Sequence, residues 1–154
     1  MGGKSWTGWA VLIALGATVG VLCLRDNHAP RPRAFASTIS FDDARAEGVR
    51  VERPVLALVT ADWCGPCRSF KRGALADADV SSAILDKTVP VYLDVTEPDG
   101  PGSAAAAKLG VSAIPTLVVI RPDGRFESRT GEQRCDELLA WLDSVIATPT
   151  PTGG

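Results

Sequence analysis

The chain has 154 residues, 45% hydrophobic and 22% charged, with a formal net charge of -2. That length holds one domain of ordinary size, able to bury a core without staples, and the composition is that of a globular protein. No basic patch with interleaved aromatics occurs, which argues against nucleic acid as a partner. The average hides an asymmetry. Up to Phe35 four basic residues (Lys4, Arg25, Arg31, Arg33) face one acid, Asp26, whereas beyond it 12 Lys and Arg face 17 Asp and Glu.

After a short tail (residues 1–5), Trp6 to Leu24 runs 19 residues without a charge. At 1.5 Å per residue that is about 28 Å of helix, roughly one hydrocarbon thickness. Trp6 and Trp9 cluster at one end, where amphipathic rings favour the headgroup region. The pattern predicts a transmembrane signal anchor over 6–24. A secretory signal peptide is the alternative. Its small-x-small site would be Ala34-Phe35-Ala36, well past the apolar run and behind Pro30, Arg31, Pro32 and Arg33. One Lys precedes the run and three Arg follow shortly, a count that leans towards a cytoplasmic domain.

Residues 25–37 are rich in Pro and Arg and read as a solvated, semi-stiff linker. The ordered domain is expected over 38–147, with a disordered Pro/Thr/Gly tail over 148–154. Ser40 with Asp43 three residues on resembles an N-cap, opening a short helix that fails by Gly48. The continuous apolar run PVLALVTA predicts a strand buried on both faces. Cys64-Gly-Pro-Cys67 follows directly, then RSFKRGALA at helical spacing. Asp79 can cap VSSAIL, and VPVYLDV reads as a second buried strand. SAAAAKLG is a strong helix former ended by Gly110. TLVVI and FESRT, joined by the turn RPDGR, pair as a hairpin. The last helix, DELLAWLDSVI, puts Leu138, Leu139, Trp141, Leu142, Val145 and Ile146 largely on one side. The order β-α-β-α-β-β-α predicts a mixed sheet flanked by helices, with the cysteines at the carboxyl end of the first strand.

Three chemistries compete for Cys64 and Cys67. A structural zinc site needs four ligands, and beyond this pair only Cys135, Cys23 and the linker His28 remain, so no metal is expected. A purely structural disulfide would close a tiny loop and remove little unfolded-state entropy. Electron shuttling fits the neighbours. Cys64 falls where strand becomes helix, so unpaired N–H groups and the helix dipole favour its thiolate. Cys67, one turn later, lies within disulfide reach but deeper, suited to resolving a mixed disulfide. Pro66 falls inside the first turn, where it costs no hydrogen bond.

ADWCGPC together with GVSAIPT (residues 110–116) resembles the thioredoxin superfamily, over about Ser40 to Ile146. TADWCGPCRSFKRGALADADVSSAILDKTVPVYLDVT is most similar to the C-terminal domains of thiol:disulfide interchange proteins of the DsbD type. The resemblance implies a thioredoxin fold and a redox-active disulfide between Cys64, the nucleophile, and Cys67, the resolving thiol. It implies a cis Pro115, with Ile114 offering backbone groups to an extended peptide. Trp63, Gly65 and Pro66 would form the docking surface, and Gly131 would let substrate approach the groove. It also implies an extracytoplasmic, periplasmic-type reductant fed by a separate membrane electron donor, which outweighs the Lys/Arg count. Two positions depart from the pattern. Leu58 stands where a buried acid is usual, and Lys71 where several DsbD-type domains have Glu. Losing a carboxylate and gaining a cation should favour the Cys64 thiolate, giving a dithiol less reducing than thioredoxin's.

Asp62 reads as a solvated loop acid that could also relay protons, and Arg68, Lys71 and Arg72 as a solvated helix face. Cys135 reads as a half-buried helix-start residue and Cys23 as a membrane-embedded apolar one. The expected protein is a membrane-anchored thiol:disulfide oxidoreductase, without a cofactor, acting on extracytoplasmic protein disulfides and dithiols. Cytochrome maturation is a secondary role, because the 48-residue step from Cys67 to Pro115 leaves little room for the insertion that branch carries. The alternatives are a cytoplasm-facing general reductase, and a redox-silent thioredoxin-like module that binds peptides or a partner.

Overall fold

The computed structural model describes residues 28–147. The expected tail, transmembrane segment, Cys23 and residues 148–154 lie outside the described residues. Among the described residues no helix is long and apolar enough to cross a membrane.

Among the described residues five α-helices and four strands follow one another in the order α-β-α-α-β-α-β-β-α. They are α1 (Phe41–Arg50), β1 (Val55–Thr60), α2 (Gly65–Arg72), α3 (Ala78–Lys87), β2 (Val89–Asp94), α4 (Pro101–Lys108), β3 (Thr116–Ile120), β4 (Phe126–Thr130) and α5 (Cys135–Ala147). The sheet order is β2-β1-β3-β4. β1 runs parallel to β2, with Val55 opposite Val89, and antiparallel to β3, with Val55 opposite Ile120. β3 and β4 form the expected hairpin, Ile120 facing Phe126.

β1 is buried at all six positions because strands flank it on both edges and helices cover both faces. Alternation sends Leu56 and Leu58 to one face, against Phe70, Leu75, Val80, Ile84, Leu138 and Leu142 of α2, α3, α5 and the intervening 3-10 turn. Val55, Ala57 and Val59 go to the other, against Ala44 of α1 and Ala105 and Ala106 of α4. The cysteine motif is thus delivered from the middle of the sheet.

Four local expectations change. α1 does not fail at Gly48 but continues to Arg50. Gly48 is there for close packing, since a Cβ would lie 2.8 Å from the Arg53 carbonyl and 2.9 Å from Val55 Cγ2. Asp77, not Asp79, caps α3, accepting from the N–H groups of Asp79 and Val80 at 2.9 and 3.1 Å. β2 is an edge strand in which only Val91 and Leu93 are fully buried, so its apolar run reports one covered face rather than two. Pro90 is tolerated at such an edge. Finally, residues 28–36, read as part of a solvated linker, form a strap packed on the domain. Ala34 and Phe35 are 2% and 0% exposed within a 3-10 turn, Arg33–Phe35, and join the core of α2, α3 and α5. Burying a phenylalanine in this way contributes about 1.5–3 kcal/mol, enough to fix a segment whose own composition is linker-like.

Candidate active site

Cys64 is the N-cap of α2. Its backbone is extended, and its Sγ accepts a hydrogen bond from the Cys67 N–H at 3.2 Å. The helix therefore starts where β1 has delivered the chain, and the positive end of its dipole, with the Cys67 N–H, lies at one sulfur. Pro66 lies in the first turn, as expected. Cys64 and Cys67 form a disulfide, their Cα atoms 5.2 Å apart. Cys64 retains 6% exposure and Cys67 none. An incoming sulfur can reach only the first.

The second wall is the loop before β3. The Ile114–Pro115 bond is cis, and the Ile114 carbonyl oxygen lies 3.9 Å from Cys64 Sγ. Gly131, at the end of β4 with φ +94, donates to the Pro115 carbonyl at 2.8 Å. A residue with a Cβ disfavours that left-handed conformation, and glycine leaves the space beside it open. Thr116 Oγ1 bonds the Ala113 carbonyl and Thr130 Oγ1, both at 2.8 Å, and ties the same loop to β4. Trp63 is 65% exposed, with Gly65 and Pro66 also at the surface. Trp63, Val95, Ala106, Ala113 and Ile114 line an open, largely apolar groove of about 340 Å³. The structure thus brings Cys64, Cys67, Trp63, Ile114 and Pro115 together, with Gly131 behind the loop.

The other flank of the dithiol corrects the sequence reading. Lys71 is not on a solvated face: it is 2% exposed. It follows Cys67 by one helical turn, so both lie on the face of α2 that meets the sheet. Its ammonium donates to Asp62 Oδ1 at 3.3 Å and to Tyr92 Oη at 3.2 Å. Asp62 is likewise no solvated loop acid. It is half-buried, ion-paired to Lys71, and its other oxygen lies 3.4 Å from His28 Nδ1 of the strap. Arg31 stacks its guanidinium 4.3 Å from the centre of the Tyr92 ring. Arg68, also read as solvated, is half-buried because it donates to the Asp62 carbonyl at 2.9 Å, whereas Arg72 is exposed and donates to the His28 carbonyl at 3.3 Å. Leu58 is fully buried in the apolar core, which leaves no carboxylate at that position.

Sequence reasoning missed His28, Arg31 and Tyr92 as neighbours of the site. The one available signal was a lysine on the same face as Cys67 and Phe70, a position that only a partnered cation can occupy. Cys135 is free and half-buried at the start of α5, as read. Among the described residues no group of three or more His, Cys, Asp or Glu could hold a metal ion.

A Cys-Gly-Pro-Cys disulfide at a helix N-terminus, its outer sulfur beside a cis-proline loop and its inner one buried, defines a thiol:disulfide oxidoreductase. A family model described as a thioredoxin-like domain matches residues 41–146, and the chain belongs to that family. It is 28% identical over 111 residues to a thioredoxin of Alicyclobacillus acidocaldarius, covering 71% of this chain and 99% of that one. It is 30% identical over 93 residues to the thiol:disulfide interchange protein DsbD of Klebsiella pneumoniae, covering 60% of this chain and 15% of that protein. Among solved structures, the reduced DsbD C-terminal domain of Neisseria meningitidis superposes with a TM-score of 0.60 at 26% identity, covering 71% of this chain and 97% of that one. A Thermus thermophilus thioredoxin gives 0.60 at 23% identity, covering 70% and 85%.

Proposed function

We propose that this chain is a membrane-anchored oxidoreductase that exchanges dithiols and disulfides with extracytoplasmic proteins, with Cys64 attacking and Cys67 resolving. The observation that carries the roles is the difference between the two sulfurs: Cys64, on the helix N-terminus, keeps 6% exposure, whereas Cys67 is fully enclosed. In the reducing direction the Cys64 thiolate attacks a substrate disulfide, and one substrate sulfur leaves as a thiolate. Cys67 then loses its proton and attacks Cys64 Sγ, expelling the second substrate sulfur. The substrate gains two electrons and two protons, and the Cys64–Cys67 disulfide remains. Ile114, Pro115, Trp63 and the groove beside them would hold an extended substrate segment, with Gly131 leaving room for it.

The anchor reading rests on the uncharged run from Trp6 to Leu24. Its extracytoplasmic orientation rests on the likeness to DsbD-type domains, and a separate membrane protein would supply electrons. The Lys/Arg count around the run favours the opposite orientation, a cytoplasm-facing reductase. A topology reporter fused after Gly154 separates the two.

The missing carboxylate at Leu58 and the enclosed ammonium of Lys71 support a dithiol less reducing than thioredoxin's, since both favour thiolate over disulfide. Equilibrating the full chain with glutathione tests this. A potential nearer -180 to -120 mV is expected, and one near about -270 mV, thioredoxin's value, sinks the electrostatic argument. Cys67→Ser should trap Cys64 in mixed disulfides with its substrates, recovered by thiol-blocking and mass spectrometry. Insulin reduction that survives Cys64→Ser would remove Cys64 from its assigned role.

A further inference from the structure

The described chain begins beside its own dithiol. His28 Nδ1 is 3.4 Å from Asp62, two residues before Cys64, and the His28 carbonyl is held by Arg72 of α2. From that point the strap is fixed, with Ala29, Pro32, Ala34 and Phe35 buried and Arg31 stacked on Tyr92. In the sequence, the uncharged run Trp6 to Leu24 ends four residues before His28.

Four residues reach about 14 Å when fully extended. A hundred-residue domain has a radius of gyration of about 13 Å, so the body is roughly 30 Å across. A leash half the width of the body cannot turn its far end towards the surface it hangs from. The near end is suited to a bilayer surface. Trp63 is exposed there, and large amphipathic aromatics favour the headgroup layer. Arg68 and Arg72 lie at the same end of the body, on the flank of the His28–Asp62 contact. Basic groups at this end complement anionic headgroups, although the chain beyond Phe35 is acidic on balance.

We propose that the strap holds the dithiol end of the domain against the anionic headgroup layer of the bilayer. Cys64 then exchanges, by the two-electron step above, with disulfides of membrane proteins at headgroup depth rather than with freely diffusing ones. This rests on the anchor reading, and its test keeps the two apart.

The full chain would be placed in vesicles of phosphatidylglycerol and phosphatidylethanolamine, with p-benzoylphenylalanine at position 63 or at position 126. Phe126 is exposed and pairs with Ile120 at the opposite end of the sheet. Photolysis should give several-fold more lipid adduct at 63 than at 126. Equal adducts, or more at 126, overturn the orientation. A chain that floats with the vesicles but forms no adduct at 63 overturns it too, while the anchor stands. A chain that does not float overturns both. As a second arm, a flexible Gly/Ser insert of about 20 residues between Leu24 and Arg25 adds roughly 25 Å of reach. It should remove most of the adduct at 63, and an undiminished adduct overturns the leash.

Discussion

The two flanks of the dithiol are built on opposite plans. On one side Trp63, Val95, Ala106 and Ile114 leave an open, largely apolar groove, and the cis-proline loop sets its Ile114 carbonyl 3.9 Å from Cys64 Sγ. On the other, Lys71, Asp62 and Tyr92 are knitted together and roofed by the strap through His28 and Arg31. A groove of apolar area and backbone groups accepts many sequences. A closed set of charges beside the sulfurs does not depend on the partner. On the function proposed above, the contrast is a division of labour: the open flank would govern which protein docks, and the closed flank how readily the thiolate forms.

The largest way to break this contrast is Phe35→Ala. Deleting a fully buried ring from the strap should cost about 3–5 kcal/mol, read by urea denaturation. A loss below about 1 kcal/mol would mean that the strap is not part of the core. Next comes Lys71→Met, which keeps the volume and removes the charge. Without the ammonium the thiolate loses support, so the potential should fall by about 30 mV, a tenfold shift in the two-electron equilibrium. An unchanged potential would show that Asp62 already cancels the cation. Asp62 is half-buried and can rehydrate, so stability should drop by no more than about 2 kcal/mol. Trp63→Ala addresses the open flank. It should raise KM for protein disulfides several-fold and leave both the potential and the reduction of a small aromatic disulfide unaltered. A shifted potential would dissolve the division.

The smallest effect lies away from both flanks. The Arg50 guanidinium donates to the Glu47 carboxylate and holds its pKa below the usual carboxylate value. A lowered carboxylate contributes stability that is present above its unfolded pKa and fades as pH falls through the folded one. Glu47→Gln should therefore change stability slightly at neutral pH and not at all in strong acid, a difference a pair of denaturation curves can resolve.

What the sequence made legible follows the same contrast. The open flank is written locally: an apolar run of eight, a Gly-Pro between two cysteines, and a Pro-Thr pair before the next strand. Each residue there acts through its own backbone position, so pattern suffices. The closed flank depends on residues from α2, the loop before Cys64, β2 and the strap, and no window holds more than one or two of them. Lys71 looks solvated until Asp62 and Tyr92 are placed beside it. Phe35 sits among Pro, Arg and Ala, and only the surface left between α2, α3 and α5 makes it a core residue. β2 shows the same limit, since the run VPVYLDV cannot say whether another strand lies beyond it.

The positions of the two ends of the described residues, His28 and Ala147, bear on how this protein can be handled. The described chain enters at Asp62, beside the sulfurs, whereas Arg121, at the far end of β3, donates to the carbonyl of Val145 near the end of α5. An affinity tag or fluorescent protein grafted ahead of His28 would crowd Cys64 and compete with its substrates. The same graft after Ala147 would sit at the opposite pole and leave the reactive sulfur clear.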